Sequence, residues 1–106
     1  MTKSTAVVTG GSRGIGLQIV RKLLSQDYNV AVCSRSNTEE LQALMDASEI
    51  GNVFWFKMDL SDESSVVAAG REVLSSCKNI EALINCAGVA HGGAFFLTKI
   101  EEMRSV

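Results

Sequence analysis

The stretch Thr9-Gly10-Gly11-Ser12-Arg13-Gly14-Ile15-Gly16 limits what this chain can fold into more than any other. It follows the apolar run Ala6-Val7-Val8 and opens onto a helical pattern, so the chain must leave a buried strand, turn, and start a helix within a few residues. Glycine is needed here for separate reasons. Gly10 lets the chain leave the strand sharply, Gly14 lets a pyrophosphate approach the backbone, and Gly16 lets the helix pack close to the strand. The spacing is Thr-Gly-x-x-x-Gly-x-Gly, which taken alone also suits an ordinary flexible loop. Strand, glycine turn and helix in succession are the context that a phosphate-cradling turn requires.

Beyond the turn, strand and helix patterns alternate. Ile15, Ile19, Val20, Leu23 and Leu24 recur at helical spacing with Arg21 and Lys22 between them, an amphipathic helix over about 14–26. Asp27-Tyr28-Asn29 breaks it, and Val30-Ala31-Val32-Cys33 reads as a short strand buried on both faces. A second helix begins near Asn37, with Ser36 and Glu39 or Asn37 and Glu40 as its capping box and Leu41, Leu44 and Met45 as its apolar stripe. Val53-Phe54-Trp55-Phe56 is the third strand, closed by Asp59-Leu60. The third helix runs from about Asp62 to Cys77 with Val66, Val67, Val73 and Leu74 to bury, and Ile80-Glu81-Ala82-Leu83-Ile84 is the fourth strand. Strands separated by such helices call for right-handed parallel crossovers, hence an open α/β sheet with helices on both faces. The sequence has no internal repeat, no proline and no low-complexity linker, so residues 1–106 read as a single domain.

Three motifs in order, Thr9-Gly10-x-x-x-Gly14-x-Gly16, Asp59-Leu60 and Asn85-Cys86-Ala87-Gly88, each after a predicted strand, resemble the cofactor-binding half of the short-chain dehydrogenase/reductase family. The likeness runs from about Thr5 to the end of the sequence and is specific through the combination. It implies a Rossmann-type parallel sheet with strand order 3-2-1-4, ending after strand 4, and a ligand site outside the carboxyl ends of strands 1 and 4. It also implies that Gly10, Ser12, Arg13, Gly14, Ile15 and Gly16 of the turn meet the cofactor, that Asp59 bonds the adenine amine with the Leu60 backbone alongside, and that Cys86, Ala87 and Gly88 line the adenosine ribose. Asn85 resembles the family's structural asparagine. Where Cys86 stands the family commonly has a second asparagine; if the contact there is made through the backbone, as for Ala87 and Gly88, the change matters little, and if through the side chain, binding in this chain would be weaker.

NADP rather than NAD is the expected nucleotide. The residue that selects NAD in such folds is an acid at the end of the second strand, and that end reads Cys33-Ser34-Arg35-Ser36. Arg35 is placed to grip a 2′-phosphate, and Arg13 could add a second cation; the resemblance points to the NADP-preferring branch, although both arginines also suit solvated surface positions. Asp59 or Ser61 has a competing use as a cap of the third helix.

The family's catalytic Ser, its Tyr-x-x-x-Lys pair and its helix-borne Asn would lie beyond Val106. The only tyrosine is Tyr28, with Val32 where a lysine would stand. An incomplete NADP-binding domain, inactive by itself, is therefore expected, belonging to an oxidoreductase that moves hydride between NADPH and a carbonyl or hydroxyl substrate. The look is closest to 3-oxoacyl carrier-protein reductases and carbonyl reductases. The other reading is a non-catalytic nucleotide-binding or subunit-pairing module. Ending after strand 4 would leave an apolar edge at Ile80 to Ile84 and uncover Leu83, Val7 and Val8, which predicts marginal stability and self-association through that edge.

Composition narrows the partners. A net charge of −2 and a pI near 5.3 supply no basic field for nucleic acid or an acidic membrane. No apolar run approaches a membrane span, and Met1-Thr2-Lys3-Ser4 lacks a signal-peptide core or an Arg-rich transit pattern, so the expected location is the cytoplasm, with the mitochondrial matrix left open. Cys33, Cys77 and Cys86 contain no Cys-x-x-Cys pair and read as buried apolar thiols rather than a disulfide framework or zinc site. His91, the only histidine, excludes a multi-histidine metal site and is assigned no role. Ala94-Phe95-Phe96-Leu97 precedes a further capping box, Thr98 with Glu101, which in the family leads into a helix beside the active site that commonly forms a subunit interface.

Overall fold

Val7 and Val8 are neighbours in sequence and must point to opposite faces of a strand, so a strand that carries both has to be covered on both sides. In the computed structural model, which describes residues 3–47 and 52–86, both side chains are fully buried, each in a different core. The elements follow the order β1 (Thr5–Thr9), α1 (Gly14–Ser25), β2 (Asn29–Ser34), α2 (Glu39–Ala47), β3 (Val53–Lys57), α3 (Glu63–Ser76) and β4 (Ile80–Asn85). The four strands form one parallel sheet in the order β3-β2-β1-β4, with Val7 level with Ala31 on β2 and Leu83 on β4.

Each face of the sheet has its own core. Val7, Ala31, Cys33 and Phe56 pack under α3 with Val66, Ala69 and Val73, while Val8, Val30, Val32 and Val53 pack under α1 and α2 with Leu17, Val20 and Leu41. The odd and even residues of β2 divide between the two, as the two-residue period of a strand requires. The expectation that Val7 and Val8 would be uncovered is therefore corrected: α3 and α1 already cover them. Leu83 is half-buried, packed against the α3 core.

The helix ends differ from the sequence reading in instructive ways. Neither Ser36 nor Asn37 caps α2; Thr38 does, accepting the Leu41 N–H at 3.1 Å through Oγ1. Asn37 instead donates its side-chain amide to Gln42 Oε1 at 2.8 Å. Nor do Asp59 and Ser61 cap α3. That cap is Asp62, whose Oδ1 accepts the N–H groups of Ser64 at 3.0 Å and Ser65 at 3.4 Å. On α3 the buried stripe is Val66, Ala69, Gly70 and Val73; Val67 and Leu74, one residue round the helix from it, are only half-buried. Helix α1 closes with Asp27 in the left-handed region (φ 69°), its N–H donating to Leu24 O at 3.1 Å and that of Tyr28 to Leu23 O at 3.1 Å. Tyr28 thus belongs to the α1–β2 connection and packs against the core. Among the described residues no helix is long and apolar enough to cross a membrane.

Hydrogen bonds from Ser64 and Ser65 hold the Asp62 carboxyl below the ordinary range. Because the folded-state value is depressed, its stabilisation is present above the unfolded value near 4 and is lost as pH falls through the folded value. Asp62→Ala is expected to lower the thermal midpoint at neutral pH by a few degrees and to flatten the loss of stability on acidification. Thermal unfolding followed by circular dichroism from pH 7 to pH 3 checks both.

Candidate functional site

The carboxyl ends of β1, β2 and β4 meet at the glycine turn, and short bonds fix it there. Gly10 N–H donates to Cys33 O on β2 at 2.9 Å, Cys86 N–H donates to Thr9 O at 3.0 Å, and Thr9 Oγ1 donates to Asn85 Oδ1 at 2.6 Å. Through its Oδ1 the Asn85 side chain thus joins β4 to β1. Gly10 and Gly14 both adopt left-handed backbone, φ 70° and 58°. Gly16 is constrained by space: a Cβ there would run into the Gly10 carbonyl oxygen and lie 3.0 Å from Gly11 Cα. Around Gly14 the reverse holds, since a Cβ would meet nothing within 4 Å. Gly11, given no purpose by the sequence reading, lies 3.0 Å from both Val20 and Val32 when a Cβ is placed on it, so the doubled glycine carries a packing role.

In front of the turn is a cleft of about 830 Å³, lined by Gly10, Ser12, Arg13, Ile15, Gly16, Cys33, Ser34, Arg35, Ser36, Met58, Asp59, Leu60, Ser61 and Cys86. Strand order explains the assembly. β1 lies between β2 and β4, so the chain leaves the sheet in opposite directions from adjacent strands and opens a crevice at their carboxyl ends. Ile15, 78% exposed, is the exposed large apolar side chain among the described residues, and it sits at this crevice. Arg13 precedes α1 in extended backbone and makes no side-chain cap; its Nη2 donates to Ser36 Oγ at 3.4 Å. The first turn of α1 holds no acid, so the positive end of the helix dipole is not offset there by a carboxylate.

Of the predicted site residues, the structure brings Gly10, Ser12, Arg13, Ile15, Gly16, Arg35, Asp59, Leu60 and Cys86 to the cleft wall. Gly14 adjoins it, Asn85 stands behind it, and Ala87 and Gly88 lie outside the described residues, as do His91, the 94–97 run and the Thr98 capping box. Asp59 Oδ1 accepts from Ser61 N–H at 3.0 Å and Ser61 Oγ at 2.7 Å, bonds that hold the carboxyl below its usual range. Cys86 departs from the expectation of three buried thiols: it is half-buried at the cleft, whereas Cys33 and Cys77 are buried. Burial pushes the Cys33 thiol up to about 12, which leaves it an inert apolar group. All three cysteines are free, and no cluster of His, Cys, Asp or Glu suited to a metal occurs among the described residues.

Sequence reasoning passed over the hydroxyls that shape the cleft. Thr38 Oγ1 donates to Ser12 O, tying the glycine turn to the start of α2. Ser34 Oγ accepts from Trp55 Nε1 at 2.9 Å and donates to Ser36 O at 3.0 Å. Position in sequence offered one clue, since Ser34 ends a buried strand and Ser36 and Thr38 follow it, where backbone groups must find partners.

Comparison with known proteins gives a consistent placement. A model of the short chain dehydrogenase family matches residues 4–106. Carbonyl reductase family member 4 of Xenopus laevis is 37% identical over 106 residues, covering 100% of this chain and 43% of that protein. Among solved structures, a 3-oxoacyl-[acyl-carrier protein] reductase from Brucella melitensis in complex with NAD superposes with a TM-score of 0.83 at 26% identity, over 100% of this chain and 51% of that one. An NADPH-bound carbonyl reductase from chicken fatty liver gives a TM-score of 0.68 at 31% identity, over 85% of this chain and 36% of that one. The chain thus spans 43% of the curated relative's length.

The two glycines respond to different constraints, so the same substitution should act differently. Gly14→Ala is expected to cost about 1–2 kcal/mol, the penalty of left-handed backbone. Gly16→Ala should cost more, about 3 kcal/mol, because backbone must move to admit the methyl group. Urea unfolding of both variants checks the order; equal midpoints would contradict the close approach at Gly16.

Proposed function

The chain belongs to the short-chain dehydrogenase family, and from that premise we propose that it is the NADP(H)-binding portion of an oxidoreductase moving hydride between NADPH and a carbonyl or hydroxyl substrate. The observation that carries this reading is that Arg13, in the glycine turn, and Arg35, just past β2, both line the cleft, and that the end of β2 bears no acid. An acid there would accept from a ribose 2′-hydroxyl and repel a 2′-phosphate; a guanidinium does the opposite.

The residues suit such a nucleotide. The open space at Gly14 admits a pyrophosphate against the backbone, and the first N–H groups of α1 are donors for it. Gly10, Ser12, Ile15 and Gly16 complete that side. Also on the cleft lining, the Asp59 carboxylate, kept ionised by Ser61, is an acceptor for the adenine amine, with the Leu60 backbone beside it. Cys86, with Ala87 and Gly88 following it in sequence, is assigned to the ribose, and Asn85 holds that strand end against Thr9. A bound nicotinamide supplies the hydride chemistry; this chain's own share is binding and orientation. Tyr28 and Val32 cannot act as a Tyr-x-x-x-Lys pair, and the 43% span of the relative accords with residues 1–106 being one domain, incomplete beside its relatives.

One observation favours a second reading, subunit pairing. β4 is an edge strand among the described residues, and Ala82, Leu83 and Ile84 on it are only half-buried. An added strand, from a second copy or from a longer chain, would satisfy its backbone groups.

Calorimetric titration with NADPH and NADH tests the main reading. NADPH is expected to bind at least about tenfold more tightly, with the preference lost in Arg35→Ala, since a charge-assisted hydrogen bond is worth about 1.5–3 kcal/mol. Equal affinity for the two cofactors would defeat the assignment of Arg35.

A further inference from the structure

Arg35 is a flexible side chain on an exposed strand end, and its usefulness to a ligand depends on what fixes the backbone that carries it. Ser34 Oγ donates to Ser36 O at 3.0 Å, a bond that closes around the single residue Arg35. The same Oγ accepts the indole N–H of Trp55 at 2.9 Å. Indole nitrogen can only donate, so Trp55 forces the serine hydroxyl to act as its acceptor and leaves the hydroxyl proton free to point to Ser36 O. Strand register puts this contact in reach: Trp55 pairs with Val32, and Ser34 lies two residues on, on the same face of β2. Met58 N–H donates to Ser34 O at 2.9 Å and Arg13 Nη2 donates to Ser36 Oγ at 3.4 Å, so the two residues flanking Arg35 are held from both sides.

We infer that Trp55, through Ser34, is a positioning residue for nucleotide selection: it sets the direction of the hydroxyl that folds the strand end around Arg35 and so holds the guanidinium where a 2′-phosphate is met. Trp55 does not line the cleft, and its share in discrimination passes wholly through this hydrogen-bonded relay. The inference rests on the reading that Arg35 contacts a 2′-phosphate. It goes further, because it places part of the selectivity on β3, one strand away from the arginine.

The test is the ratio of NADPH to NADH affinity, measured by calorimetry for the wild-type chain, Arg35→Ala, Trp55→Phe, Ser34→Thr and Ser34→Val. Phenylalanine keeps a large ring at position 55 and removes only the donor. Threonine and valine have nearly the same shape at position 34 and differ in the hydroxyl. The expected result is a ratio reduced about threefold to tenfold in Trp55→Phe with NADH affinity retained, kept in Ser34→Thr and reduced in Ser34→Val. A merely structural role would weaken both nucleotides together and leave the ratio intact, which overturns the inference. So does a wild-type ratio that Arg35→Ala abolishes while Trp55→Phe and Ser34→Val preserve it, and in that case the Arg35 reading survives. A wild-type chain with no preference, or one whose preference Arg35→Ala leaves unchanged, overturns both.

Discussion

The carboxyl edge of the sheet depends on how closely α1 begins against the turn that feeds it. Any side chain at Gly16 would occupy the place of the Gly10 carbonyl oxygen, so the helix can start where it does only if that residue is glycine. Close approach then propagates in two directions. Towards the core, it brings Leu17 and Val20 down onto Val8 and Val32, with Gly11 clearing the space between. Towards the solvent, it sets the first turn of α1 beside the crevice between β1 and its neighbours, where helix N–H groups without an acidic residue can meet an anion.

Covering both faces of a four-stranded sheet follows from the same economy of space. β1 carries bulky Val7 and Val8 on opposite faces, and each face receives helices spaced by their small residues, Gly16 on α1 and Ala69 and Gly70 on α3. β1 can therefore be wholly buried and β2 buried from Val30 onward, while β3 and β4 at the two edges of the described sheet remain partly exposed. Burial at the centre holds the strand ends of β1 and β2 rigidly, and these are the ends that bear the glycine turn and Arg35.

Most of this architecture was legible in the sequence because it is written in periodicity. The alternation of apolar runs with helical stripes gives the four strands and three helices, and the resemblance supplied the strand order. Capping was less legible. Ser36, Asn37 and Thr38 are all competent caps on composition, and the choice of Thr38 follows from where its hydroxyl can also reach Ser12, a contact between residues far apart in sequence. For α3, Asp59, Ser61 and Asp62 compete in the same way, and the helix selects the residue that bonds Ser64 and Ser65. The relay from Trp55 to Ser34 was invisible for the same reason: β-strand pairing sets it, and a linear sequence does not display which residues of β2 and β3 lie level. Cys86 read as a buried thiol because cysteine usually is one, whereas its position just past β4 brings it to the crevice.

Hydroxyl groups leave the charges of the cleft unspent. Asp59 is bonded by Ser61, and that bond lowers its carboxyl more than the nearby Arg35 does. Among the described residues the ion pair recorded, Lys3 with Asp27 at 3.0 Å, lies at the other end of the sheet, where α1 turns into β2. Arg13 touches a serine hydroxyl at 3.4 Å, and Arg35 is held through its neighbours' backbone and hydroxyl groups rather than by a carboxylate. An arginine locked in a bidentate pair with an acid would have to break that pair before meeting a phosphate, at a cost comparable to what the new contact returns. By fixing the loops with serine and threonine, the chain preserves the arginine cations and the Asp59 anion for a ligand that carries complementary groups. An adenosine 2′-phosphate has that distribution of groups: an anion for the guanidinium pair, and a donor amine for the carboxylate.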